Sequence, residues 1–531
     1  MAQTSDDDLQ KSKPVSPSYA ALEWPGDRAF PSLPDVAQTI DVADLTKASR
    51  DEQALLTSLQ GVVNRKQPRL YLYWEDDGSN KAWLEQIRQH IGTKDWSATP
   101  LRLLDKYRGE IKGAIAYDER VPDTVNLATT IAGYRDCVIT SDAVAGAHGL
   151  PVVQNLQGMF KNKQEVYLYG LSKVYPYVTK RLIAAIPPRS GESGVNSILR
   201  DYIVALAAPC IWLDPENSAE LHLLEQILKT LDANSVYLGW FPHGHEMTGI
   251  TVTSKESVHV VASDFYFSGS LMSGLKKLFP ATSRPVASQI KSWPTGNVAN
   301  KIYVSLTWSE GDNIQYCQRH LRHLWNHPMR GRIPMGWTIT PLLADIGPNI
   351  LNYFQTTATE NDALVVGPSG AGYTNPISWP YHNFKLFLNQ TKRYLDETGF
   401  GSNIWVYNRI NGQTKTLSSE LATAYQNVLG PDLLGISVGA WENTRSPYAV
   451  KFVEGLPAAG MLQIDNAERG LKDLNTLSKS EFDGRRPLFV ACSLTAWNFN
   501  VGDMVDMVGK LGPEFEIVRP DEQFKMIRMV N

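Results

Sequence analysis

From Lys301 to the C-terminus, short apolar runs alternate with helical patterns at near-regular intervals, and this alternation limits the possible folds more than any other feature. Strands are predicted at 302–307, 333–338, 363–367, 404–408, 433–438, 461–464 and 487–493, with a further short one at 515–518. Helical segments fall between most of them. Seven or eight such units over about 230 residues fit a (β/α) barrel. An open doubly wound sheet is the alternative. In either architecture ligands bind at the carboxyl ends of the strands, so functional residues are sought in the loops that follow them.

The N-terminal half reads as α/β of a different kind. Residues 1–38 are polar, acidic and proline-bearing, the composition of an arm along the surface. From residue 39 helical and strand patterns alternate. Ser49 with Glu52 forms a capping signal for a helix whose apolar face is Leu55, Leu56, Leu59, Val62 and Val63, ended by Pro68. Strands are predicted at 69–74, 113–117, 137–140, 166–169, 211–213, 236–240 and 258–262. Strands spaced by helices argue for a doubly wound α/β region over 39–290, divisible near residue 150. Pro285–Asn300, with Pro294 and Gly296, is the linker candidate, and the barrel spans 297–531.

Composition excludes some functions. A net charge of −4 supplies no basic face for nucleic acid. No run of 18 apolar residues is present, so no membrane span is expected. Cys137, Cys210, Cys317 and Cys492 are far apart, without a CxxC, so neither a zinc knuckle nor a disulfide framework is expected. The start, Met1 to Asp8, lacks the basic and apolar regions of a signal peptide. A processed extracellular or periplasmic chain and a cytosolic one both fit. Fourteen Trp and 22 Tyr lean towards carbohydrate, since aromatic faces serve as platforms for the apolar faces of sugars.

Two loops carry the candidate chemistry. After the strand at 302–307 comes Ser309-Glu310-Gly311-Asp312-Asn313, and after that at 363–367 comes Gly367-Pro368-Ser369-Gly370-Ala371-Gly372-Tyr373-Thr374-Asn375-Pro376. Hydrolysis of a glycoside needs two carboxyl groups flanking the scissile bond. Glu310 and Asp312 are the first candidates, set against the bland reading in which Asp312 caps the next helix. Glu442 and Asp465, after predicted strands, are candidates for the second carboxyl. The glycine loop brings Ser369, Gly370, Gly372, Tyr373 and Asn375 to a strand end, where backbone N–H groups and the phenol meet a ligand, with Asn313 beside them. Trp441 and Trp497 are the preferred stacking platforms among several aromatics near strand ends. A phosphate-loop reading is weak, because no Lys-Ser/Thr follows, and no cofactor is implied. A nucleophile elbow at Ser369 is disfavoured, because the last histidine, His382, follows it too closely.

The stretch Gly370-x-Gly372-Tyr373-x-Asn375-Pro376 with Ser309-to-Asn313 upstream resembles the GxGYxYP family of glycoside hydrolases. Asn375 stands where the signature has its second Tyr. Leu59-to-Arg65, Asn126-to-Thr130 and Gly239-Trp240 resemble the family's N-terminal region, and Leu494-to-Asn498 and Pro520-to-Phe524 its C-terminal end. The resemblance implies a two-part α/β fold and a hydrolase acting on a poly- or oligosaccharide.

Two rivals remain. A metal-dependent, deacetylase-like hydrolase would use His320, His323 and His327, spaced to share a helix face. A helix leaving Asn313 carries His323 roughly 16 Å beyond Asp312, which disfavours it. His243-Gly244-His245-Glu246 is a second histidine cluster; on a strand its two histidines would share a face. A non-catalytic carbohydrate-binding protein would use the same cleft without a carboxyl pair.

Overall fold

The computed structural model describes residues 22–74, 77–191, 194–283 and 298–531. The proposed linker falls mostly on 284–297, outside the described residues. The N-terminal half contains three separate parallel sheets. The first pairs β1 (Thr39–Asp44) with β2 (Leu70–Tyr73) and β3 (Gly92–Asp95) in the order β2-β1-β3. The second orders β4 (Ala114–Ala116), β5 (Val138–Thr140) and β6 (Val152–Asn155) as β5-β4-β6. The third orders β7 (Leu182–Ala185), β8 (Cys210–Ile211), β9 (Ser235–Gly239) and β10 (Val258–Val261) as β10-β9-β7-β8.

The helix Arg50–Lys66 ties the first two of these sheets together. Ser49 caps it in a reciprocal box with Glu52, as the sequence implies. Burial extends all round it, not along one face. Gln60 and Asn64 are buried too, because both side chains donate to the Leu70 carbonyl at the start of β2. Ser58 accepts from the N–H of Ile139 in β5, and Arg65 donates to the Gly133 carbonyl. Residues 166–169, predicted as a strand, belong instead to the helix Lys163–Tyr169. Asn162 caps it by accepting from the N–H of Glu165, and that local bond overrides the β-branched and aromatic composition.

The C-terminal half is a parallel, barrel-like sheet of seven strands, nearly closed. Its strands are β11 (Ile302–Trp308), β12 (Met335–Thr338), β13 (Asp362–Val365), β14 (Asn403–Trp405), β17 (Gly435–Val438), β19 (Leu456–Ile464) and β20 (Leu488–Leu494). A hairpin of β15 (Arg409–Ile410) and β16 (Gln413–Thr414) follows β14, and β18 (Val450–Val453) pairs antiparallel with β19. The sheet runs β13-β12-β11-β20-β19-β17-β14. Its two edges meet at one parallel bridge, Val366 to Ile404, where the Trp405 N–H donates to the Val366 carbonyl at 2.7 Å. The eighth predicted strand, β21 (Phe515–Ile517), pairs with the first residues of β11, while β12 pairs with its last. It is thus a short insert at the amino end.

Side chains on the two faces of β11 separate cleanly. Ile302, Val304, Leu306 and Trp308 join the main core under the helices, whereas Tyr303 joins a second cluster with Met461, Phe489, Phe524 and Ile527. The last two belong to the terminal helix Pro520–Val530, which closes the amino end of the barrel. Gln523 fixes it there, donating to the Tyr303 and Val490 carbonyls and accepting from Ser305. The carboxyl end receives the third sheet. Val260 of β10 and Tyr373 exchange two backbone hydrogen bonds (2.8 and 2.9 Å), and the Ile314 N–H donates to the Ala262 carbonyl at 2.9 Å. The segment 22–38 also lies against the barrel: Phe30 is buried, and Arg28 pairs with Asp345 and Glu397 at 2.5 Å each. Among the described residues, no helix is long and apolar enough to cross a membrane.

Candidate active site

The chain leaves β11 in a turn that almost every residue helps to fix. Ser309 Oγ donates to the Leu494 carbonyl at the end of β20. Gly311 then presses on β12: a Cβ there would stand 1.5 Å from the Thr338 carbonyl oxygen. Its N–H donates to Thr338 Oγ1, and its carbonyl accepts from the Thr340 N–H. Tight apposition forces Glu310 into the left-handed region (φ 79°), a conformation that costs a non-glycine residue on the order of 1 kcal/mol or more. The helix that follows is capped by Asn313, whose Oδ1 accepts from the N–H groups of Gln315 and Tyr316. Asp312 is therefore not the cap, and its carboxyl is left for other work.

The glycine loop is positioned from beneath. Ser369 is buried: its Oγ donates to the Thr374 carbonyl and accepts from the Tyr407 N–H. Gly370 lies on Phe387 and Thr391, and Gly372 lies directly over the buried imidazole of His259. Asn375 accepts from the Arg409 N–H and donates to the Arg409 carbonyl, binding the glycine loop to the hairpin after β14. This loop aims Tyr373 across the gap towards the third sheet. There its hydroxyl donates to Glu246 Oε1 at 2.5 Å, and its ring meets Tyr407 edge-on at 5.2 Å between centroids.

Glu246 opens the helix Glu246–Lys255, between β9 and β10. Three carboxyls from two halves of the chain thus act on one another. Burial first, and then Glu310 and Glu246, hold the Asp312 carboxyl well above the usual carboxylate range. Burial also raises Glu310, with Glu246 adding to it and a hydrogen bond from Trp497 opposing it. A carboxyl whose hold on its proton is strengthened by burial and by neighbouring carboxyls is the arrangement from which a general acid acts. Trp497, in the loop after β20, is 53% exposed. It stacks on His320 (4.6 Å between centroids, planes 16° apart) and meets Tyr316 edge-on. The His320 Nε2–H in turn donates to the Ala496 carbonyl, which locks the platform from below.

Other sequence candidates lie elsewhere or do other work. Glu442 is exposed. Asp465 accepts from Thr495 and faces Arg469 at 3.8 Å. Trp441 is buried, with its indole N–H on the Ala449 carbonyl and Lys451 over its ring. The helix expected to run straight from Asn313 breaks at Arg319 (φ −121°, ψ −87°), and the break turns His320 back to Trp497. His323 faces Asp77, and His327 accepts from the Met329 N–H. His243 sits in a 3-10 turn, not a strand, and His245 is drawn to Asp214 and Glu216. Among the described residues, no group of three or more His, Cys, Asp or Glu side chains is placed to hold a metal ion. Glu246, Tyr407 and Arg409 join this candidate site through Tyr373, and sequence reasoning does not single them out.

Comparison with known proteins gives a consistent result. Residues 39–109, 111–173 and 185–274 match the first, second and third N-terminal GxGYxYP domains. Residues 300–528 match the "GxGYxYP putative glycoside hydrolase C-terminal domain". No curated relative matches the chain. A crystal structure of "a putative hydrolase" from Bacteroides thetaiotaomicron has the same fold, with a TM-score of 0.81 over 98% of each chain at 18% identity. Four domain matches in unbroken order, the last of them holding the Gly370-x-Gly372-Tyr373 loop on its strand end, place this protein in the GxGYxYP family.

Proposed function

We propose that the protein is a glycoside hydrolase acting on a poly- or oligosaccharide at the carboxyl end of the barrel. The observation that carries this reading is the meeting of Asp312, Glu310 and Glu246 beside the exposed Trp497. Asp312 is the proton donor: it protonates the glycosidic oxygen as the bond from the anomeric carbon breaks. A second carboxylate, from Glu246 or Glu310, attacks the anomeric carbon or activates the water that does. Water ends on that carbon, and the leaving sugar departs with its hydroxyl restored. Trp497 supplies a flat face for a sugar ring, and Tyr373 orients Glu246.

The test is hydrolysis of a broad panel of glycans and aryl glycosides by wild type, Asp312→Asn, Glu310→Gln and Glu246→Gln, with and without EDTA. Turnover that survives EDTA, collapses in Asp312→Asn and falls in at least one glutamine variant is the expected result. Turnover unchanged in all three variants overturns the assignment. Sugar binding without turnover across the panel favours a binding module.

A further inference from the structure

We propose that the barrel mouth takes a glycan carrying an anionic substituent, a carboxylate or a sulfate ester, and that Arg409 binds it. This rests on the glycosidase reading of the same site and adds the substrate class to it.

Arg409 begins the hairpin β15–β16, just beyond the carboxyl end of β14. Asn375 holds its backbone from both sides, at 3.1 Å to the N–H and 2.8 Å to the carbonyl. Its guanidinium lies over the Tyr407 ring, 5.1 Å from the centroid. On the other side it presses against Gly439, the first residue after β17: a Cβ there would stand 2.9 Å from Arg409 Nη2. The cation therefore occupies the rim between two barrel strands. Tyr407 in turn packs on Tyr373, whose hydroxyl is on Glu246. Two aromatic rings, Tyr407 and Tyr373, connect Arg409 to Glu246.

Among the described residues several enclosed arginines have acids of their own, while the fully buried Arg200 is held by Asn196, Thr129 and Asn126 instead. Arg28 pairs with Asp345 and Glu397, Arg330 with Asp362, and Arg519 with Asp521. Among the described residues no carboxylate forms an ion pair with Arg409. Burial first, and then Glu246, push Glu310 up; burial first, and then Glu310 and Glu246, push Asp312 up. The guanidinium also gives Tyr407 a hydrogen bond, and the other N–H groups of its fork are left for a ligand. That fork matches the planar oxygens of a carboxylate or two oxygens of a sulfate, which arginine binds bidentately. A single cation at one edge fixes where the charged substituent lies, and so fixes the register of the sugar across the carboxyls. The hydroxyls of a neutral sugar accept from the guanidinium but leave its charge unpaired.

The experiment is a glycan array bearing neutral, uronate-containing and sulfate-containing oligosaccharides, read with wild type, Arg409→Gln and Arg409→Lys. Wild type is expected to select anionic glycans, and the uronate and sulfate arms show which substituent is read. Hydrogen bonds to a charged group predict that Arg409→Gln weakens this binding by about tenfold or more, with Arg409→Lys retaining part of it. Thermal melts of both variants report folding independently, and the Asn375 clamp on the backbone is unaffected by either substitution. Selection of neutral glycans, absence of anionic binding, or equal binding by Arg409→Gln overturns the proposal. Hydrolysis of the bound glycans separates it from the reading beneath it. Arg409-dependent binding without cleavage keeps the substrate class and removes the glycosidase. Cleavage of neutral glycans through Asp312 does the reverse.

Discussion

Replacing Gly372 with alanine places a methyl group where His259 already stands. An ideal Cβ at this position lies 2.0 Å from Nδ1, 2.8 Å from Cγ and 3.0 Å from Cε1 of the imidazole. Ordinary contacts between heavy atoms are about 3.5–4.0 Å, so loop and ring must separate by more than about 1 Å. The ring has little freedom to yield, being fully buried, with Phe387 at 5.8 Å between centroids. The Gly372 backbone is not among the positive-φ glycines, so the cost comes from overlap and not from backbone strain. Overpacking of this kind costs about 1–3 kcal/mol. At about 2–4 °C per kcal/mol for a domain of this size, the Tm should fall by about 2–12 °C. The displacement lands on the adjacent Tyr373, so kcat/KM should fall beyond what unfolding explains. The assay is a double-mutant cycle with His259→Ala, followed by calorimetry and turnover. Removing the ring opens room for the methyl group, so Gly372→Ala should cost little in that background, giving a coupling of about 1–3 kcal/mol. An additive cycle, or a Gly372→Ala protein that melts with wild type, refutes the steric explanation.

Three further outcomes follow from buried charge. Burial pushes His259 down from 6.5 to about 4, so the unfolded chain takes up this proton first as pH falls. The stability contributed by the neutral ring is whole above pH 6.5 and is lost between there and about 4, on the order of 3 kcal/mol; His259→Gln should flatten that limb of a Tm-against-pH curve. Asp312 has the opposite sign: its raised folded value means that stability falls as pH rises past the ordinary carboxylate range. Asp312→Asn should therefore abolish turnover yet raise stability at pH 7 by about 0.5–2 kcal/mol, a gain that shrinks towards pH 4 in thermal melts. Arg28→Ala leaves Asp345 and Glu397 enclosed with Lys276 as their remaining ion-pair cation, and should cost about 3–5 kcal/mol in a denaturation midpoint.

The barrel was legible because its strands are buried on both faces. A run such as Ile302–Trp308 announces itself without any partner being known. β19 extends back to Leu456, five residues before its predicted start, because Pro457-Ala-Ala-Gly lacks the bulky residues that mark a strand. The Glu310–Asp312 turn was found by position, after a strand, and the glycine loop in the same way. Glu246 escaped because the fold, not the sequence, carries it there: the backbone pairing of Val260 with Tyr373 lays the third sheet over the barrel mouth. Its tetrapeptide, His243-Gly244-His245-Glu246, draws attention for the histidines, while the glutamate is what reaches the acid cluster. The helix break at Arg319 was equally hidden, since helical periodicity runs through it and tertiary contact to the loop after β20 decides it. Trp441 and Trp497 look alike in sequence, each in a polar loop. What separates them is the Ala449 carbonyl that buries the first and the His320 ring that props up the second.

The most direct measurement is the protonation of Asp312 itself. Infrared difference spectra of wild type against Asp312→Asn at neutral pH isolate its carbonyl stretch from every other acid in the chain. A protonated-carboxyl band is expected in wild type at pH 7, titrating away at a pH well above the ordinary carboxylate value. In Glu246→Gln that titration should move downward, because a neighbouring negative charge has been removed. An ionised Asp312 at neutral pH, or a titration that ignores Glu246, would contradict the coupling of the two halves of the chain at this site.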